Sequence, residues 1–452
     1  MKRALKTGCV LILAVAMLAG LFACNGRNEP VITVPPDYEP NVEGTVKFTC
    51  NITKLVDENA ANAFIEAFEA YYPNTEVIPD YTPGDIPARI SSGEIGDVFW
   101  FTEAENYNYA VTQKALLPLN QYLDPLNVDT QNVFTGIFAL GEVEGQLYMV
   151  PRDYNHIVLV YNKTYLREAG LEDPKSGWTW DEFKEYCTRL TQEDPSNPGK
   201  YLRVGADLEY TWAPVYTSFF EGWGGTWVDT KEKRVNLTDD LVRQGIDELL
   251  SLANTGVLRP RGGKDMSAYD GLEDEDYVFR TMVYPSITSI GQHYDSLGLE
   301  WDFADFPAFP NHAVGTGASG FGVYKYSDNL DTAAALALFF FTEEGQTAYH
   351  STEGGSVPLL TSLSEEGFWR YADSKGTDAD WSEKNFDAFV SFPEADIVGQ
   401  PNCRMPVQVA SVITSGWDSL LQEFFSSGNY INQLTTMEKT ANERWEKIMA
   451  NQ

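Results

Sequence analysis

Aromatic side chains stand beside carboxyl and amide groups at three places in this chain of 452 residues. The run Asp97-Val-Phe-Trp-Phe101 leads directly into Thr102 and Glu103, so a flat apolar surface meets a hydrogen-bonding edge. Asp153-Tyr-Asn155 sits in a polar break between two apolar runs. Trp212, Trp223, Trp227 and Tyr284 form a third set, and Trp223 lies in the turn Gly222-Trp-Gly-Gly225, where a large ring is free to face a cleft. Ring faces beside a few fixed polar groups suit a ligand with apolar C–H faces and a rim of hydroxyls. Sugars have that character. The candidate ligand-binding residues are therefore Trp100, Phe101, Glu103, Asp153, Tyr154, Asn155, Trp212, Trp223 and Tyr284, with Trp417 added from a C-terminal helix. With eleven tryptophans in the chain, most must serve the core.

Catalytic chemistry finds little support. Sixty-six acidic residues make carboxylate pairs easy to nominate, but no spacing singles one out. His156, His293, His312 and His350 are scattered without metal-ligand spacing. The glycine-rich Gly315–Gly320 lacks the lysine of a phosphate loop, and the acidic stretch 373–383 does not place a glycine at the sixth position, where a calcium loop needs it. We expect no enzyme, no catalytic residue, no metal and no cofactor. A net charge of -34 speaks against nucleic acid, which needs clustered basic charge.

The N-terminus carries Lys2, Arg3 and Lys6, then an apolar run from Cys9 to Phe22 and small residues before Cys24. This reads as a secretory signal over residues 1–23. Leu21-Phe-Ala-Cys24 resembles a bacterial lipobox, which implies lipidation of Cys24 and an anchor at the outer face of the cytoplasmic membrane. Residues 24–43, with four prolines, read as a tether. Cys50, Cys187 and Cys403 remain in the body; we expect buried thiols.

Several elements must position these groups. Strands are expected at 44–50, 76–78, 97–101, 146–151 and 157–161, from β-branched residues and alternation. Helices are expected at 57–72, 87–92, 181–190, 215–220, 238–254, 331–341, 417–425 and 434–449. Thr179 and Glu182 have capping-box spacing, and Thr238 is placed as a helix cap. Strand, helix and strand in alternation imply a mainly parallel sheet.

The ordered pieces Phe64–Asn74, Ser92–Phe99, Leu116–Leu123, Gly145–Pro151, Val160–Lys163, Trp178–Phe183, Ser319–Val323, Thr342–Gln346 and Gly355–Pro358 resemble family 1 of the extracellular solute-binding proteins, the sugar-capturing lipoproteins of bacterial ABC importers. The resemblance spans most of residues 44–360 and fades beyond 361. It implies an α/β, two-lobed, type II periplasmic-binding-protein-like fold with the ligand cleft between lobes. The lobes are expected at 44–152 plus 283–314 and at 153–282 plus 315–452, with crossings at 152–157, near Tyr284 and at 315–319. Asn155 falls where a maltose-binding relative has a sugar-contacting carboxylate. The implied partners are a carbohydrate ligand and a membrane permease, and the chain is expected to act as a monomer. A non-sugar solute such as a polyamine or peptide, or a secreted glycan-active enzyme, stays open as an alternative.

Overall fold

The computed structural model describes residues 38–50, 55–82, 84–353, 355–370, 380–392 and 397–450. The expected leader, Cys24 and most of the tether lie outside the described residues. Chain packing separates Met1–Glu39 from Pro40–Gln452, and both lobes belong to the latter.

The first lobe begins with a βαβ unit. Strand β1 (Gly44–Thr49) pairs in parallel with β2 (Thr75–Asp80) and with β3 (Val98–Thr102). The intervening helix Leu55–Tyr71 buries Phe64 and Phe68, spaced one turn apart. Phe64 stacks on Phe340 at 3.8 Å between centroids, and Phe68 meets Phe339 edge-on. Fully burying each such ring contributes about 1.5–3 kcal/mol. The short helix Ile86–Ser92 is capped by the Asp85 carboxylate, which accepts from the Ala88 N–H, and it ends at Gly93 with φ 74°. Glycine takes that left-handed conformation without a Cβ clash.

The sheets are mixed, which corrects the expectation of a mainly parallel one. In the first, Ser319–Val323 lies antiparallel between β3 and Val150–Pro151. The second runs in the order Trp301–Asp305, Val158–Asn162, Tyr277–Met282, Tyr201–Asp207 and Gln192–Glu193, and only Tyr277–Met282 with Tyr201–Asp207 is parallel. A strand that enters a sheet from the other lobe has no βαβ crossover to fix its direction, so it is free to insert antiparallel.

Strand pairing also moves two lobe boundaries. Trp301–Asp305 was expected in the first lobe but pairs with Val158–Asn162 of the second. Ser319–Val323 was expected in the second but pairs with β3 of the first. The chain changes sheet at 152–157, as expected. It does not change near Tyr284: a helix at Ile287–Ser296 returns it to the same sheet, and the change comes at 306–318. The cause is that helix, whose return run the polar sequence after Tyr284 conceals. Helices Leu330–Leu338 and Glu343–His350 then serve the first lobe, and the chain passes back beside Tyr154, whose N–H donates to the Val357 carbonyl.

The helices Val407–Ser427 and Ile431–Met449 complete the second lobe, burying Trp417, Leu420, Leu434 and Trp445. The Thr179–Glu182 capping box forms. Thr238 does not cap its helix. Asp239 does, accepting from the N–H groups of Leu241 and Val242, while the Thr238 hydroxyl donates to Glu438.

Candidate functional site

The carboxyl end of β3 delivers Glu103 to the seam between the lobes. Its N–H donates to the Ala318 carbonyl at 3.0 Å. Its carboxyl, 1% exposed, accepts from the Gln400 amide at 2.5 Å. Burial pushes this carboxyl up to about 8, and the charge of Asp153 adds to the shift. At neutral pH the neutral acid therefore predominates.

The crossing 152–157 presents the other polar groups. Asp153 is buried, and one of its oxygens accepts from Arg152 at 2.8 Å and from the Ser356 hydroxyl at 2.8 Å. Its other oxygen, Oδ1, is buried without a partner among the described residues. The Asn155 side chain ties crossing to crossing: its amide donates to the Gly317 carbonyl at 3.2 Å, and its oxygen accepts from the Tyr284 N–H at 3.3 Å. A Cβ on Gly317 would lie 3.8 Å from the Gln400 amide nitrogen. Glu103, Asp153 and Asn155 thus gather in one seam with Gln400. Trp212 is partly buried and lies two residues before Pro214, whose carbonyl packs against Gly315 so closely that a Cβ there would be 1.8 Å away.

The side chains of the remaining candidates are engaged in other ways. Trp100 is partly exposed on the opposite face of β3 from Phe99 and Phe101, and Phe101 is core, meeting Tyr109 edge-on at 5.3 Å. Tyr154, Tyr284 and Trp417 have no exposed surface. The Tyr154 hydroxyl donates to Phe392 O, the Tyr284 hydroxyl to Trp369 O, and the Trp417 indole to Tyr210 O. Each polar tip is committed to backbone, because burying it unpaired would cost about 1–3 kcal/mol. These three rings pack the fold and do not face a ligand in this conformation. Trp223 lines a separate cavity, formed by the second lobe and residues 308–312 of the crossing that leaves it.

A seam cavity of about 470 Å³ went unnoticed in the sequence. It lies between the turn Glu142–Gly145 of the first lobe and Thr230–Lys233 of the second, with Tyr107, Arg404 and Trp445 in its wall. Lys233 reaches Glu144 across it at 3.1 Å, and Arg404 pairs with Glu221 at 2.5 Å. The Trp445 indole N–H is buried without a partner among the described residues. The only local sign was the pair of charged turns, and nothing in the sequence shows that they meet.

Two lobes joined by three crossings, with buried acids and amides at the seam, define a two-lobed solute-binding receptor. The chain belongs to the bacterial extracellular solute-binding protein family, whose family model matches residues 53–347. Among curated proteins it is 22% identical over 374 residues to the sn-glycerol-3-phosphate-binding periplasmic protein UgpB of Salmonella typhimurium, covering 77% of this chain and 79% of that one. The fold is similar to that of the sugar-binding protein MalE from Xanthomonas citri, with a TM-score of 0.70, 16% identity and coverage of 90% and 98%. It is also similar to the cyclic alpha-maltosyl-1,6-maltose binding protein from Arthrobacter globiformis, with a TM-score of 0.68, 17% identity and coverage of 89% and 99%. Among the described residues no helix is long and apolar enough to cross a membrane.

Proposed function

We propose that this protein is the carbohydrate receptor of a bacterial ABC importer, held at the outer face of the membrane by a lipid on Cys24. The observation that carries the reading is the seam set of Glu103, Asp153, Asn155 and Gln400, with Asp153 Oδ1 lacking a donor. When the lobes open, these acceptors and amides become available to sugar hydroxyls. Hinge closure around a ligand is the motion for which periplasmic binding proteins are a standard instance. A sugar favours closure only by binding the closed form more tightly than the open one. The closed form is then what a membrane permease receives. No step in this reading is catalytic, and the chain acts as a monomer.

A second reading is a glycerophosphoryl ligand. Lys231, Lys233, Arg404 and the Trp445 indole N–H around the seam cavity favour it, as does the similarity to UgpB. The partnering of Lys233 and Arg404 by carboxylates weakens it. A thermal-shift panel of mono- and oligosaccharides, sn-glycerol-3-phosphate and diamines separates the readings. A ligand at about 100 times its dissociation constant adds about 2.7 kcal/mol. Stabilisation by a sugar supports the first reading. Stabilisation by the phosphate ester or a diamine alone overturns it.

A further inference from the structure

The second lobe carries another cavity, of about 380 Å³, lined by Trp180, Asp181, Trp223, Glu248, Phe309 and His312 among others. None of these residues belongs to the Glu103–Gln400 set. Its aromatic wall depends on glycine. A Cβ at Gly222 would stand 2.5 Å from the Phe309 ring, and one at Gly245 would stand 1.8 Å from the Phe219 carbonyl and 3.1 Å from the Trp223 ring. Glycine at both positions lets Trp223 approach Phe309 with 5.0 Å between centroids and lie nearly parallel to Phe219, at 18°. Asn311 fastens the two walls: its N–H donates to Gly222 O at 2.9 Å and its amide to Glu221 O at 3.1 Å.

The rim is polar. The Glu248 carboxylate accepts from the Trp180 indole at 3.1 Å and from Lys184 at 2.9 Å, and Lys184 also meets Asp181 at 2.8 Å. Trp180 and Phe309 are buried, while Trp223 is partly exposed. A partly exposed indole on a rigid aromatic stack, edged by acceptors, offers a sugar ring a face and its hydroxyls partners. Little ordering of the aromatic wall and of Glu248 remains to be done on binding, because packing and hydrogen bonds already hold them.

We propose that this cavity is a second carbohydrate site, stacking one sugar ring against Trp223 and receiving its hydroxyls on Asp181 and Glu248. The proposal rests on the carbohydrate reading of the seam, and the two can fail separately. The test follows the indole N–H resonances of the full chain, assigned by single Trp→Phe variants, during titration with maltotriose and with cellotriose. The Trp180 and Trp223 signals are expected to move, to keep moving in Gln400→Ala, and to lose the response in Trp223→Ala. Asp181→Ala alters a side chain 89% exposed, so folding is spared. It should weaken the response roughly three- to tenfold, the worth of one hydrogen bond. Movement of other tryptophans with Trp180 and Trp223 silent overturns the second site and leaves the seam reading standing. A Trp180 response that vanishes in Gln400→Ala also overturns it, because the signal then comes from the seam. Silence of every tryptophan, together with no thermal shift from either trisaccharide, overturns both readings.

Discussion

The amide of Gln400 donates to the carboxyl of Glu103 at 2.5 Å, joining positions 297 residues apart. The contact brings the end of the third strand against the segment that leads into the C-terminal helices. It also holds an acid where water cannot reach it, and this makes stability depend on pH. The Glu103 carboxyl is pushed from its ordinary 4.5 to about 8, chiefly by burial. Between those values the unfolded chain has released its proton and the folded chain has not. The stabilisation is therefore full below about pH 4.5 and is lost as pH rises through about 8. Glu103→Gln keeps the shape and removes the titration. The unfolding free energy of the parent minus that of the variant should fall by at most about 1.4 kcal/mol per pH unit across that window and level off above it. Urea titrations at a series of pH values measure this, and a difference independent of pH refutes it.

Asn155 spans two crossings with one side chain, so its loss should be felt at both. Asn155→Ala leaves the Gly317 carbonyl and the Tyr284 N–H without that partner. The expected cost is about 1–3 kcal/mol. If the residue also meets ligand, the sugar-induced thermal shift should fall by more than the stability loss explains. A variant as stable as the parent, with the full ligand shift, would show that the amide matters to neither.

What the residues disclosed in advance divides by distance along the chain. The Thr179–Glu182 cap and the helix that carries Phe64 and Phe68 depend on neighbours within a turn, and each was legible. Glu103 was nominated because it directly follows an aromatic strand. Its partner Gln400 could not be, since only the folded topology brings them together. Trp301–Asp305 was missed as a strand because its acids break the apolar pattern. Both are buried, and both are satisfied by remote groups: Asp302 by Lys163 and the Asn385 N–H, and Asp305 by Ser176 and the Gly177 N–H. The aromatic candidates misled for the converse reason. A ring that can face a sugar can equally well fill a core, and Tyr154, Tyr284 and Trp417 do so.

Trp417 makes that distinction measurable. Its ring lies 5.1 Å from Tyr216 and 5.4 Å from Phe220, and its indole N–H donates to Tyr210 O at 2.8 Å. Trp417→Ala opens a core cavity and should cost about 3–5 kcal/mol. Chemical denaturation reads the loss. Calorimetric titration, corrected for the folded fraction, should return the parental affinity for whichever ligand the panel finds. A weakened affinity in the folded fraction would restore Trp417 to the ligand set.

On the acid side the sensitive group is His350. It is fully buried; its Nδ1 accepts from the Ser356 N–H at 2.9 Å, and its Nε2 lies 3.2 Å from the Arg152 carbonyl. That pattern requires the proton on Nε2. A second proton would sit on Nδ1, facing another N–H. Burial lowers the imidazole to about 4 from its ordinary 6.5. Between these values the unfolded chain takes up a proton that the folded chain refuses. The stability is thus present above about pH 6.5 and is lost as pH falls toward 4. His156, also buried and lowered to about 4, contributes a second loss over the same range. His350→Gln retains an acceptor and a donor without titrating. It should remove about half of the two histidines' combined slope between pH 6.5 and 4, up to about 1.4 kcal/mol per pH unit for each histidine. The comparison is best made on the Glu103→Gln background, where the opposing slope is absent. An unchanged slope there would mean that His350 is already protonated in the folded protein, with the Ser356 hydrogen bond broken.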